Sequence, residues 1–223
     1  MAITGFFGVP RVGKSTILTQ YAKKEQWRKK RRYNNIYTIN IEIDGCKPIP
    51  WEYLKTYCPD GDLILIDEIT LNADNREWKS FPQEIRDFFI LHGHTHCDII
   101  YVTQNFEKVD AVIRGLTYDL WYMEKSPFPF FRRFTKAKRI YRKITINEQT
   151  SELKMGYRFG TFIEGLFIGN KKICYRPRYY QYYDSWALLS LADRPKMPYI
   201  ENTKRHKKRK VFKLWKMIKK IKT

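Results

Sequence analysis

Apolar residues along this chain follow two rhythms. Short runs, AITGFF (2–7), DLILIDEIT (62–70), CDIIYVTQN (97–105) and YDLWYMEK (118–125), read as buried strands, and isoleucine-rich NIYTINIEI (35–43) alternates and adds a fifth. Between them lie stretches of helical character: GKSTILTQYAKKEQWRKKRRY (13–33), REWKSFPQEIRDFFILHG (76–93) and the shorter VDAVIRGL (109–116). Apolar strands that alternate with helices predict a parallel sheet covered on both faces.

After Pro127 the rhythm changes. RIYRKITINEQTSELKMGYRFG (139–160) and GTFIEGLFIGNKKICYRPRYY (160–180) alternate, with turn signals at Asn147–Gln149 and at Gly169-Asn170, and predict two β-hairpins. The stretch KRHKKRKVFKLWKMIKKIK (204–222) returns to helical spacing, with Val211, Leu214, Trp215, Ile218 and Ile221 on one side and lysines on the other. Three segments follow: a core over 1–126, a basic hairpin extension over 127–200 and a basic amphipathic tail over 201–223.

Charge sharpens that division. The chain has 223 residues and a net charge of +20, yet residues 1–128 hold 17 Lys/Arg and 17 Asp/Glu, whereas residues 129–223 hold 26 and 6. The excess belongs to the second part, which predicts an anionic partner, either nucleic acid or a lipid surface. A hydrophobic fraction of 43% excludes a disordered chain. No apolar run reaches the ~18 residues that span a bilayer. The N-terminus lacks the charged start and cleavage site of a signal peptide. The four cysteines (Cys46, Cys58, Cys97, Cys174) form no C-x-x-C pair, so a reduced cytosolic compartment is expected.

The candidate chemistry begins at GVPRVGKST (8–16). Gly8-x-x-x-x-Gly13-Lys14-Ser15 fits the Walker A pattern, and it follows a predicted strand and opens a predicted helix. Glycines let the backbone curl until its N–H groups face phosphate oxygens, lysine adds a point charge and the serine hydroxyl suits Mg²⁺. Gly8, Pro10, Arg11, Val12, Gly13, Lys14, Ser15 and Thr16 are therefore the expected ATP-binding residues. Arg11, at the loop apex, is either a solvated bystander or a contact to nucleotide or a neighbouring subunit. LILIDE (63–68) reads as Walker B. Asp67, at the end of a buried strand, is placed to hold Mg²⁺ together with Ser15, and Glu68 to polarise a water for attack on the γ-phosphate. The competing reading is a solvated acidic strand end. In P-loop ATPases with an extra strand between these two, a polar residue at that strand's end senses the γ-phosphate or its water; Gln104 is the candidate, and a polar residue that only caps a buried strand is the competing reading. Arg114, and less so Arg86, are candidates for an arginine finger across a subunit interface, although a surface arginine is the preferred reading of either alone. HGHTHC (92–97) holds three of the four histidines, and a loop near the nucleotide or a subunit interface is preferred there over a metal site.

The Walker A motif on the first strand, LILIDE, FFILHGHTHCDIIYVTQN and VDAVIRGL together resemble the Zot (zonula occludens toxin) family, the ATPases of filamentous phage assembly. The likeness covers roughly residues 1–125. It implies a RecA-like P-loop core, ATP hydrolysis, membrane-associated oligomers, and extrusion of single-stranded phage DNA during virion assembly beside coat and assembly proteins. Onto this chain it carries Gly8, Gly13, Lys14, Ser15, Asp67, Glu68 and Gln104. Family members commonly continue into a transmembrane helix. Here the basic tail would instead be a peripheral anchor on the cytoplasmic face of the host membrane, through lysines worth ~1 kcal/mol each near an anionic leaflet. Two other readings of that tail stay open: a grip on a phosphate backbone, and a solvated helix packed on the core. YRPRYYQYYDSW (175–186) is equally a stacking platform for single strands and a packed hairpin. The function classes are an assembly or export motor, another DNA-translocating or packaging ATPase, and a non-motor nucleotide-binding adaptor.

Overall fold

The computed structural model describes residues 1–56, 60–77, 81–125, 132–146, 153–167 and 169–184. Strand β1 (Ile3–Gly8) leads into helix α1 (Lys14–Gln26). β2 (Ile36–Ile39), the two-residue strands β3 (Glu42–Ile43) and β4 (Lys47–Pro48), and β5 (Leu63–Ile66) follow. Then come α2 (Gln83–Leu91), β6 (Asp98–Thr103), α3 (Ala111–Leu116) and β7 (Thr117–Lys125). The basic segment contributes β8 (Phe134–Ile146), β9 (Leu153–Phe159), α4 (Phe162–Phe167), β10 (Lys171–Tyr175) and β11 (Tyr183–Asp184).

The main sheet runs β10-β8-β7-β1-β6-β5-β2-β4, with β9 also paired to β8. Strands β7, β1, β6, β5, β2 and β4 are parallel, so their C-terminal ends share one edge. β6 lies between β1 and β5, with Ile3 opposite Ile99 and Leu63 opposite Asp98. This makes it the extra strand between the phosphate-loop strand and the acidic strand.

Alternation within buried strands sorts their side chains to two faces. Leu63, Leu65, Ile100, Val102 and Trp121 join Ile17, Leu18 and Ala22 of α1 in one core. Ile64, Ile66, Ile99 and Tyr101 join Ile85, Phe88 and Phe89 of α2 and Ile113 of α3 in the other. The parallel sheet covered on both faces is thus present, as expected.

The extension does not stand apart from this sheet. β8 pairs antiparallel with β7, from Leu120 opposite Ile140 to Lys125 opposite Thr135. β8 and β9 form the expected first hairpin, whose Asn147–Gln149 turn lies outside the described residues. The second stretch differs. Residues 162–167 form a helix, and β10 pairs with β8 instead of closing a hairpin of its own. The reason is a capping box in Thr161-Phe-Ile-Glu164. Glu164 accepts from the Thr161 N–H at 2.7 Å, and the Glu164 N–H donates to Thr161 Oγ1 at 3.4 Å.

Three other elements are shorter than their patterns predict. α1 ends at Gln26, because Arg28–Arg32 are exposed cations with no apolar face to dock. α2 starts only after Pro82, whose ring disfavours helical backbone at Phe81. The strand expected over 35–43 breaks at Asn40, which takes the left-handed conformation at φ 61°. The amphipathic tail and residues 126–131 lie outside the described residues.

Candidate nucleotide site

The site stands at the C-terminal edge of the parallel strands, where ligands of such sheets bind. Gly8 ends β1 so close to β7 that a Cβ there would lie 2.5 Å from the Met123 carbonyl oxygen. Arg11 (φ 62°) and Gly13 (φ 99°) are both left-handed, and these reversals shape the concave backbone that receives anions. Gly13 caps α1, so the helix N-terminus adds its partial positive charge.

Lys14 is buried and donates from Nζ to the Gly8 carbonyl at 3.0 Å. Burial pulls its pKa down, opposed by the nearby charges of Glu68 and Asp67. Ser15 Oγ donates to Asp67 Oδ2 at 2.6 Å, bringing the predicted Mg²⁺ ligands together. Asp67 is itself buried, and its pKa is pushed up to about 6, chiefly by burial, against the Ser15 hydrogen bond. A buried carboxylate whose pKa stays raised with Lys14 nearby is short of counter-charge. A hydroxyl and a carboxylate are also the hard oxygen donors that Mg²⁺ takes. The residues therefore fit the cation.

Glu68 also has left-handed backbone, φ 45°. Its Oε1 accepts from Thr103 Oγ1 at 3.2 Å, the Gln104 N–H at 3.1 Å and Thr70 Oγ1 at 2.8 Å. Thr103, fully buried at the end of β6, makes the side-chain contact, whereas Gln104 is exposed and contributes its backbone. Asn40, unnoticed in the sequence, donates to the Asp67 carbonyl at 3.0 Å and to Asn72 Oδ1 at 2.6 Å, fixing the acidic turn. An Asn inside an isoleucine-rich alternating run was the available signal.

Other candidates lie elsewhere. Arg114 lies in the last turn of α3, which leads into Thr117; Thr117 pairs with Ile3, whereas Gly8 pairs with Met123. Within one protomer it stands a strand length from the loop. Arg86 lies over the Phe81 ring at 5.5 Å. The histidine-rich stretch precedes β6, at the sheet edge away from the phosphate loop, so it is not near the nucleotide of its own protomer. Among the described residues no group of three or more His, Cys, Asp or Glu could hold a metal ion. In the aromatic segment, Tyr179 is buried and stacks on Trp27 at 6.4 Å. Tyr175, Tyr180 and Trp27 stay exposed, with Arg178 over Trp27 at 5.0 Å.

The extension also reaches the phosphate loop, which no local pattern announced. Thr135 Oγ1 donates to the Val12 carbonyl at 2.5 Å. Arg176 donates from one terminal nitrogen to the Arg11 carbonyl at 3.3 Å and from the other to the Arg132 carbonyl. The hydroxyls of Thr16 and Tyr183 are 3.0 Å apart.

A glycine-rich loop between β1 and α1, two acids closing β5 and an inserted β6 together define a P-loop NTPase of the RecA-like type. The chain belongs to the Zonular occludens toxin (Zot) family, whose sequence model matches residues 17–187. That match starts directly after the phosphate loop, so loop and family are separate observations. Among solved structures, the chain is similar to the N-terminal domain of zonular occludens toxin from Neisseria meningitidis. They share 15% identity, with 73% of this chain and 96% of that one covered at a TM-score of 0.48. It is also similar to B204, the DNA-packaging ATPase of Sulfolobus Turreted Icosahedral Virus (10% identity, 69% and 96% covered, TM-score 0.44). A third is the flagellar accessory protein FlaH from Methanocaldococcus jannaschii (15% identity, 72% and 89% covered, TM-score 0.41). No curated protein sequence matches.

Proposed function

We propose that this chain is the ATP-hydrolysing assembly and export motor of a filamentous, inovirus-like phage. It drives virion morphogenesis and extrusion of single-stranded DNA at the cytoplasmic face of the host membrane. The observation that carries hydrolysis is the junction of Ser15, Asp67 and Glu68 above the loop. Ser15 and Asp67 would hold Mg²⁺, which would supply positive charge against the phosphate chain. Lys14 leaves the Gly8 carbonyl for the phosphate oxygens. The backbone N–H groups of residues 11–16 cradle the phosphates behind Pro10, with Thr16 at the start of α1. Glu68, held by Thr103 and the Gln104 N–H, takes a proton from the attacking water as the new P–O bond forms and ADP departs. Membership of the Zot family supports the phage setting, and the basic second half supports an anionic partner. Arg114 of one subunit acts on the nucleotide of the next in a homo-oligomer, because it cannot reach its own.

The test is turnover by wild type and Glu68→Gln with Mg²⁺·ATP, single-stranded DNA and anionic liposomes present. Glu68→Gln is expected to bind a fluorescent ATP analogue as wild type does and to lose turnover at least about 100-fold. Wild-type binding without turnover under those conditions would sink the motor and leave a nucleotide-binding adaptor.

A further inference from the structure

Two contacts from the basic extension grip the loop at successive carbonyls. Thr135 Oγ1 takes that of Val12, both residues being buried, and Arg176 takes that of Arg11. In a trans peptide the C=O and the N–H of the same plane point opposite ways. The Arg11 carbonyl shares its plane with the Val12 N–H, and the Val12 carbonyl with the Gly13 N–H. Holding both carbonyls toward the extension therefore turns both N–H groups the other way. These donors sit between the two left-handed residues, Arg11 and Gly13, that make the loop concave.

The two gripping residues share one platform. Thr135 pairs with Cys174 and Phe134 with Tyr175, so Arg176 emerges beside Thr135. The Arg176 N–H donates to the Arg133 carbonyl at 3.0 Å, and its guanidinium donates also to the Arg132 carbonyl, fixing it from behind. Gly13 fills the remaining space, since a Cβ there would lie 2.5 Å from Thr135 Oγ1 and 2.7 Å from Arg176 Cδ. Neither residue belongs to a Walker motif, and both lie in the strongly basic half.

We propose that Thr135 and Arg176 are positioning residues of the nucleotide site, which preset the Val12 and Gly13 N–H groups for the phosphate chain and tie phosphate affinity to the extension. This rests on the reading of the loop as an ATP site. The test is equilibrium binding of Mg²⁺·ATP, Mg²⁺·ADP and inorganic pyrophosphate to the full chain, as wild type, Thr135→Val, Thr135→Ser, Arg176→Gln and Arg176→Lys, each also melted without ligand. Thr135→Val and Arg176→Gln are expected to weaken all three ligands about fivefold to tenfold, the scale of one hydrogen bond. Thr135→Ser, which keeps the hydroxyl, is expected to restore wild-type affinity. Unchanged affinity in both Thr135→Val and Arg176→Gln overturns the proposal, as does a lowered melting temperature with affinity intact. Should Thr135→Val fail to melt cooperatively, Arg176→Gln decides by the same criterion, with Arg176→Lys expected to retain part of the affinity. Wild type that binds none of the three ligands would instead overturn the ATP reading itself.

Discussion

Asp67 carries the sharpest residue-scale consequence. Its pKa in the fold, about 6, stands above that of the unfolded chain, so ionisation is disfavoured by folding. The sign is therefore the reverse of a salt-bridged aspartate. The penalty is absent below about pH 4, grows as pH rises toward 6 and persists above it, at an order of ~3 kcal/mol. Asp67→Asn removes it. The unliganded variant is expected to melt several degrees above wild type at pH 8 and level with it at pH 4, while losing its Mg²⁺ requirement for ATP binding. Thermal scans at the two pH values check this, and an equal shift at both would exclude the burial of charge as the cause.

At the scale of elements, local signals decided where helices begin. Asp110 accepts from the Val112 N–H at 2.9 Å and caps α3 while itself buried. Asp110→Ala is expected to lower stability by ~1–2 kcal/mol in urea titration, with an unchanged denaturant slope. No change in the midpoint would show that α3 is held by packing alone. The apolar runs that became β1, β5, β6 and β7 were legible because strands buried on both faces leave no polar alternation to misread. Walker A and the two acids were legible for a different reason: phosphate and Mg²⁺ restrict residue type at fixed spacing. Asn40 and the Thr161 capping box were written locally but outweighed by alternation around them. The grips of Thr135 and Arg176 were not legible at all, because they depend on how β8 and β10 are set against each other and against the loop, more than 120 residues away in sequence.

For the whole molecule the dominant quantity is charge asymmetry. The first 128 residues sum to zero and the rest hold +20. Among the described residues no helix is long and apolar enough to cross a membrane. Attachment through residues 204–223 then predicts flotation of the full chain with anionic liposomes at low salt. It also predicts loss of flotation when that stretch is removed, and weakening as ionic strength rises. Flotation retained by the shortened chain would assign the membrane grip elsewhere.

The antiparallel joint between β7 and β8 reaches beyond mechanics. A neutral half and a strongly basic half share one sheet, and the second half touches the phosphate loop of the first. A genetic exchange cut near residue 127 would leave one descendant with a bare β7 edge and a slackened loop, and the other with strands that have nothing to pair against. The smallest inheritable piece is therefore larger than the catalytic motifs suggest. Lineages that trade partners are expected to do so by rewriting exposed positions of the extension, leaving Thr135, Arg176 and the seam intact.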